Sequence, residues 1–160
     1  MTEMLCRPIT LEDSADVLDW RNDLVSRQMS FNYNKISSTE HFNWFSEILA
    51  ISSHIGFIGE INCEKIGVVF FKVDNAIARV SINLNPQQRG KKLAANLLRN
   101  GMKEAQKLFP QIDEFSAKIK NTNSASVKVF AQNGFVLNAK QDGFSVYNVK
   151  SSTLGVKFDV

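Results

Sequence analysis

The stretch NPQQRGKKLAANLL, residues 85–98, sets the cationic side chains of Arg89, Lys91 and Lys92 around one glycine, Gly90, just ahead of a leucine- and alanine-rich run. That run continues as Leu93, Leu97, Leu98, Met102, Ala105 and Phe109, at the three- and four-residue steps of one buried helix face. Cations at a helix N-terminus oppose the helix dipole, whose positive end lies there. An anion would resolve the conflict. Unpartnered N–H groups of a first turn can point at a phosphate, Gly90 carries no Cβ to keep it away, and Arg89 and Lys91 can neutralise its oxygens with charge-assisted hydrogen bonds. The plainer reading is a solvated loop whose charges serve solubility.

Two other groups of residues could do chemistry. In NSASVKVFAQNGF, Asn123 stands ahead of Ser126, Val127, Val129 and Phe130. Alone, this is an N-capped short helix with Val127 and Phe130 on its buried side. Farther upstream, His41, Trp44 and Ile48 fall at i, i+3 and i+7, a stripe that could border a pocket. A histidine beside aromatics is either a packed side chain or an acid–base group. Arg21 and Asp23 are close enough in sequence to form a plain surface ion pair between helices.

The elements that must position these residues follow from local signals. MLCRPI reads as a strand, and Thr10 with Asp13 caps a helix carrying Ala15, Val17, Leu18 and Trp20. A second helical piece begins near Asp23. Ser37 and Glu40 open a helix whose core stripe is Phe42, Phe45, Ile48 and Leu49. Three strands, HIGFIGEIN, KIGVVFFKV and AIARVSINL, are separated only by the turns Cys63-Glu64-Lys65 and Asp74-Asn75, so they form an antiparallel meander. A helix from the cationic stretch, the strand IDEFSAKI, a helix stopped at Gly134 and a hairpin about Asp142-Gly143 complete the chain. The expected order is β-α-α-β-β-β-α-β-α-β-β, an α/β (α+β) fold with a mixed, mostly antiparallel sheet flanked by helices.

Composition narrows the field. With 160 residues, 44% hydrophobic and 22% charged, the chain has the makeup of one globular domain, expected over residues 1–150 with a tail at 151–160. No stretch has the apolar length of a membrane span, and MTEMLCRPIT lacks a signal-peptide layout, so a cytoplasmic protein is expected. Cys6 and Cys63 have no metal-ligand or CxxC spacing; no metal is expected, and both cysteines read as core residues in strands. The net charge of +3 comes from scattered lysines without the basic and aromatic interleaving that grips nucleic acid.

Taken together, the element order and two motifs resemble the GNAT superfamily of acetyl-CoA-dependent N-acetyltransferases, up to about Lys150. QQRGKK is similar to the superfamily's phosphate signature, Gln/Arg-x-x-Gly-x-Gly/Ala, with Gln87 and Gly90 in place and Lys92 at the position of the small residue. NSASVKVFAQNGF is similar to a second signature, with Asn123, Ser126, Val129, Gly134 and Phe135 in place and Phe130 where a tyrosine is usual. The resemblance implies acetyl-CoA as cofactor, held by Ile82, Asn83, Leu84, Gln87, Gln88, Arg89, Gly90, Lys91, Lys92, Leu93, Ala94, Asn123, Ser126, Val129 and Phe130. It implies polar contacts from Asn123 and Ser126, and an apolar wall from Val129 and Phe130.

WRNDLVSRQMSFNYNKISSTEHFNWF further resembles the acetyltransferases of nucleotide-linked amino sugars, of the pseudaminic-acid type. That implies an acceptor site of Arg21, Asn22, Arg27, Phe31, His41 and Trp44, in which arginines meet a diphosphate and Trp44 a sugar ring. The expected reaction is direct transfer to a neutral amine, with His41 as first candidate base beside a water-mediated route and a backbone N–H at Asn83 or Leu84 steadying the oxyanion. Ser126, Tyr147 or water would serve as acid, or the thiolate leaves unassisted, its reference pKa being about 8.5. Two other functions stay open: acetylation of a peptide N-terminus, which the same region also resembles, and an acyl-CoA-binding sensor without turnover. The expected partner is a small-molecule amine, with no nucleic acid and no membrane; a homodimer is left open.

Overall fold

The computed structural model describes residues 3–156. Residues 1 and 2, which open the stretch searched for a targeting signal, and residues 157–160, the end of the expected tail, lie outside it. The chain runs β1 (Leu5–Pro8), a 3-10 turn (Leu11–Asp13), α1 (Ser14–Asn22), α2 (Leu24–Met29), α3 (Ser38–Ala50), β2 (His54–Ile61), β3 (Glu64–Asp74), β4 (Ile77–Leu84), a second 3-10 turn (Pro86–Gln88), α4 (Ala94–Leu108), β5 (Glu114–Lys120), α5 (Ser124–Ala131), β6 (Val136–Lys140), β7 (Phe144–Lys150) and α6 (Ser152–Val156). The strands form one sheet in the order β1-β2-β3-β4-β5-β7-β6. Every neighbouring pair is antiparallel except β4 and β5. This is the expected mixed sheet.

Helix boundaries follow the caps. Asp23 is extended (φ −56°, ψ 139°) and accepts from the N–H groups of Val25 and Ser26, so it ends α1 and starts α2 afresh. Three helical segments therefore precede β2, where the expected order counted two. Ser37 caps α3 by accepting from Glu40 N–H at 3.2 Å. The buried side of α3 is His41, Phe45 and Ile48; Phe42 and Leu49 are exposed, so the core stripe is rotated from the expected one.

Turns differ from expectation by one or two residues, with consequences for register. Asn62 and Cys63 both have positive φ and link Ile61 to its partner Glu64, as a two-residue hairpin turn requires. Cys63 is thus an exposed turn residue rather than a core residue of a strand, whereas Cys6 is half-buried in β1. The next turn is Asn75-Ala76 rather than Asp74-Asn75, because Asp74 pairs with Ile77.

Both faces of the sheet are covered. Val69, Phe71, Leu97, Leu98, Met102 and Phe115 belong to the larger core, beneath α4. A Cβ on Gly101 would lie 2.4 Å from Val69 Cγ1, so glycine is what lets α4 seat against β3. The smaller core holds Val17, Trp20, Phe45, Ile48, Ile58 and Val68, beneath α1 and α3. Leu154 of α6, within the stretch expected as a tail, is buried in the larger core. Among the described residues no helix is long and apolar enough to cross a membrane.

One polar network is buried with the apolar core. Asp13, 1% exposed, receives both Arg7 Nη1 and Nη2 at 2.8 Å, Lys65 Nζ at 2.9 Å and Thr10 N–H at 2.8 Å. The ring of donors ties β1, the first 3-10 turn and β3 together.

Candidate active site

β4 and β5 run parallel but pair only over Ile77–Arg79 and Glu114–Ser116. Beyond that point a cavity of about 1210 Å³ borders β4. Each of the residues from Arg79 to Leu84 lines it. Successive strand side chains point to opposite faces, so an unbroken run can touch one cavity only where the cavity follows the strand's free edge.

That edge offers backbone donors. Asn85 donates its N–H to the Ile66 carbonyl of β3 at 2.8 Å. With Asn83 opposite Val68 and Leu84 opposite Gly67, antiparallel alternation turns the N–H of Asn83 toward β3 and those of Ile82 and Leu84 away from it, toward the cavity. Of the two expected oxyanion donors, Leu84 has the required orientation and Asn83 does not; Ile82 joins Leu84. The Asn83 side chain instead accepts from Ser26 Oγ at 3.2 Å through Oδ1.

The cationic stretch is a loop ahead of α4 rather than its first turn, because α4 starts only at Ala94. Gly90 and Lys92 have φ of 77° and 59°. A Cβ at Gly90 would meet nothing within 4 Å. Its positive φ by itself favours glycine there. Gly90, Lys92, Leu93 and Ala94 line the cavity. Arg89 does too, but its Nη2 donates to Asp23 Oδ2 at 2.6 Å and Ser26 Oγ at 3.0 Å. The bond from Arg89 is the main cause holding the Asp23 carboxyl below its usual range. Lys91, expected on a phosphate, donates to Gln88 Oε1 at 3.2 Å, and Gln88 Nε2 reaches Glu64 at 3.3 Å. Gln87 is exposed, with its N–H capped by Asn85. Gln87, Gln88 and Lys91 do not border the cavity; they build the turn that supports it.

From α5, Asn123, Ser126 and Val129 line the cavity, and Asn123 also caps the helix by accepting from Ser126 N–H at 3.2 Å. Asn123 is thus an N-cap that also borders the cavity. Phe130 does not line the cavity. It is 2% exposed and meets Phe135 edge-on in the core, with ring centroids 4.9 Å apart.

Among the expected acceptor residues, Arg21, His41 and Trp44 line the cavity. Arg21 Nη1 donates to Ser30 Oγ at 2.8 Å and Nη2 to the Asn32 carbonyl at 3.3 Å, so it forms no pair with Asp23. Trp44 stands edge-on to Phe70, centroids 5.4 Å apart. His41 is 3% exposed and packs against the rings of Trp44 and Phe45. Its Nε2 is buried without a hydrogen-bond partner. Burial pushes the imidazole below its ordinary pKa, with the Ser14 backbone opposing. Asn22, Arg27 and Phe31 do not line the cavity. Asn22 clamps Ile36 through two 2.8 Å bonds, Arg27 lies over the Tyr33 ring, and Phe31 meets Phe144 edge-on. All three instead shape the segment between α2 and α3.

Sequence reasoning missed Ser26, His54, Phe70, Lys72 and Arg79, which also line the cavity. The available signal for Lys72 and Arg79 was the hairpin: a turn at Asn75-Ala76 places them directly opposite each other.

A family profile for the acetyltransferase (GNAT) domain matches residues 3–136. The chain belongs to the GNAT acetyltransferase family. Its fold is similar to that of a spermidine N-acetyltransferase from Vibrio cholerae in complex with CoA and spermine, at TM-score 0.84 and 15% identity over 94% of this chain and 97% of the other. It is likewise similar to the aminoglycoside acetyltransferase AAC(6')-Ib in complex with coenzyme A (TM-score 0.80, 16% identity, 99% and 100% covered). A putative acetyltransferase from Salmonella typhimurium with its cofactor acetyl-CoA gives TM-score 0.74 at 18% identity, with 92% and 93% covered. No curated protein matches.

As a GNAT member the chain is an acetyl-CoA-dependent N-acetyltransferase. Two positions where it departs from the GNAT signatures give testable outcomes. Phe130→Tyr is expected to lower the melting temperature, because a hydroxyl buried against Phe135 without a partner costs about 1–3 kcal/mol, and to leave kcat near wild type. A rise in kcat would put the side chain beside the reacting sulfur after all. Lys92→Gly is expected to stabilise by about 0.5–1 kcal/mol: a left-handed non-glycine residue costs about 1–2 kcal/mol, and glycine's extra freedom returns about 0.5–1 of it. Chemical denaturation reads the change, and a destabilised variant would mean that the Lys92 side chain holds the loop.

Proposed function

We propose that the chain acetylates the amine of a phosphate-bearing acceptor, a nucleotide-linked amino sugar, by direct transfer in a ternary complex. The charge of the cavity's acceptor half carries this reading. Arg21, Lys72 and Arg79 line it, against a single carboxylate, Glu40. Burial lowers the pKa of Arg21, and among the described residues no carboxylate pairs with it. Such a guanidinium gains most from an anionic ligand. Polycations such as the spermine and kanamycin bound by neighbours would meet like charge here.

The rest of the site fits a sugar. Trp44 and Phe70 offer apolar surface next to Ser81, which lies opposite Phe70. Acetyl-CoA supplies the activated thioester. Around it, Ile82 and Leu84 present N–H groups suited to the carbonyl oxygen, and Gly90 and Lys92 with Asn123 and Ser126 flank the bound cofactor. His41, kept neutral by burial, takes the amine's proton at Nε2. Ser126, which lines the cavity, is the better placed proton donor for the departing thiolate; Tyr147 does not line it.

An acceptor panel tests the reading. Purified protein with acetyl-CoA is offered amino-sugar nucleotides, spermidine, an aminoglycoside and a peptide, and products are read by mass spectrometry. Acetylation of the nucleotide-linked amines above all others is expected; preferential acetylation of spermidine or the aminoglycoside would overturn it.

A further inference from the structure

His54, Lys72 and Arg79 come from three adjacent strands and stand in one row. His54 pairs in register with Lys72, and Lys72 with Arg79. Directly opposite residues point to the same face with Cβ atoms about 4.5–5.5 Å apart. That face is the one carrying Val68, Phe70 and Ile58 toward α1 and α3, and all three row residues line the cavity. Like charges in directly opposed positions are destabilising. Among the described residues, however, neither the Lys72 ammonium nor the Arg79 guanidinium has an ion pair to relieve the repulsion. His54 Nδ1 is buried with no hydrogen-bond partner. Two unpaired cations and an orphaned ring nitrogen on one wall are an incomplete set. A phosphate oxygen would complete it.

We infer that this row is the seat of the acceptor's diphosphate. The inference rests on the anionic-acceptor reading above and assigns it a place. Successive pairs along β3 and β4 set the order of the site: Lys72 with Arg79, then Phe70 with Ser81 under Trp44, then Val68 with Asn83 beside the Ile82 and Leu84 donors. Arg79 lies three residues from Ile82, about 10 Å along the strand. A hexose ring with its phosphoester spans such a gap. The amine then reaches the thioester while the phosphates rest on the cations. Arg79 offers the planar fork suited to phosphate oxygens, Lys72 a mobile point charge, and His54 a polar contact through its unpartnered Nδ1.

The test separates the seat from the acceptor's identity. Inorganic pyrophosphate is titrated calorimetrically into protein saturated with CoA, so that the phosphate loop ahead of α4 is already filled. Wild type should bind, more weakly as salt rises. Lys72→Ala and Arg79→Ala should each weaken binding by about tenfold or more, and Arg79→Lys should retain part of it. Both side chains are exposed, so the variants are expected to fold, which melting temperatures verify. In parallel, kcat/KM is compared for a uridine-diphosphate-linked amino sugar and the same sugar without phosphate. The variants should lose the preference for the former. Wild type that fails to bind pyrophosphate, or variants that bind it undiminished, overturn the seat. So does an unaltered preference for the nucleotide sugar, even though the acceptor reading would then stand. Row-dependent pyrophosphate binding in a protein that acetylates no amino-sugar nucleotide supports the seat and overturns only the acceptor reading.

Discussion

Asp13→Asn is expected to cost about 3–5 kcal/mol of folding stability, the range for removing one partner of a buried charge network. The carboxylate is 1% exposed and accepts from Arg7, Lys65 and the Thr10 N–H. Arg7 also binds Glu60, and Lys65 also binds Asp16 at 2.8 Å, so both cations would survive with part of their partners gone. An amide has the same shape but no charge, and its NH₂ would face donors. Urea denaturation at neutral pH measures the loss, and a difference below about 1 kcal/mol would mean that the network is exchanged for water without penalty.

The pH dependence of that loss has a definite sign. Burial alone would raise the Asp13 carboxyl, but hydrogen bonds from Arg7, Thr10 and Lys65 outweigh it and leave the group well below its usual range. A group whose folded pKa is depressed contributes stability above its unfolded value, about 3.9 for Asp, and that contribution fades as pH falls toward the folded value. Wild type and Asp13→Asn should therefore differ most near neutrality and converge at strongly acid pH. A gap that does not narrow there would place the effect in packing rather than charge.

His41→Gln is the second large effect, an expected fall in kcat of about a hundredfold or more, within the range for loss of a positioned general base. His41 lines the cavity with its Nε2 buried and unpartnered, and burial keeps its pKa below the ordinary histidine value. The acid limb of the wild-type kcat/KM profile should thus fall below about pH 6.5, and the variant should lack it. The same depression makes stability fall as pH drops through the unfolded histidine value, since the unfolded chain then binds the proton and the folded one does not. Glutamine removes that slope as well. A variant with near-normal kcat and an altered stability profile alone would make His41 a packing residue of α3.

Several elements could be read from the sequence because their causes are local. Thr10 with Asp13, Asp23, Ser37 and Asn123 each mark a helix start through hydrogen bonds spanning two or three residues. Gly134 and Gly143, with φ of 86° and 83°, mark a helix end and a hairpin turn. Local rules failed where several local solutions compete. On α3, His41 and the apolar residues at 42, 44, 45, 48 and 49 allow two overlapping stripes. Which one is buried depends on the packing of α1 and of Ile58 and Val68 against the helix. The turn after β3 could sit one residue earlier by composition. Its actual position moves the partner of Lys72 from Ile77 to Arg79.

The sequence by itself determined the family, most of the element order and the place of the cationic loop ahead of α4, since a glycine-centred cationic loop and an N-capped helix are recognisable from residue types at short spacing. Tertiary structure alone decided which side chains reach the cavity. It sent Arg89 to Asp23, Lys91 to Gln88 and Phe130 into the core, turned the N–H groups of Ile82 and Leu84 outward in place of that of Asn83, and aligned His54, Lys72 and Arg79 across three strands. Each of these depends on strand register or on a partner far away in sequence. The free energy that selects such a partner comes from burial and charge pairing in the assembled fold, which no short window of residues contains.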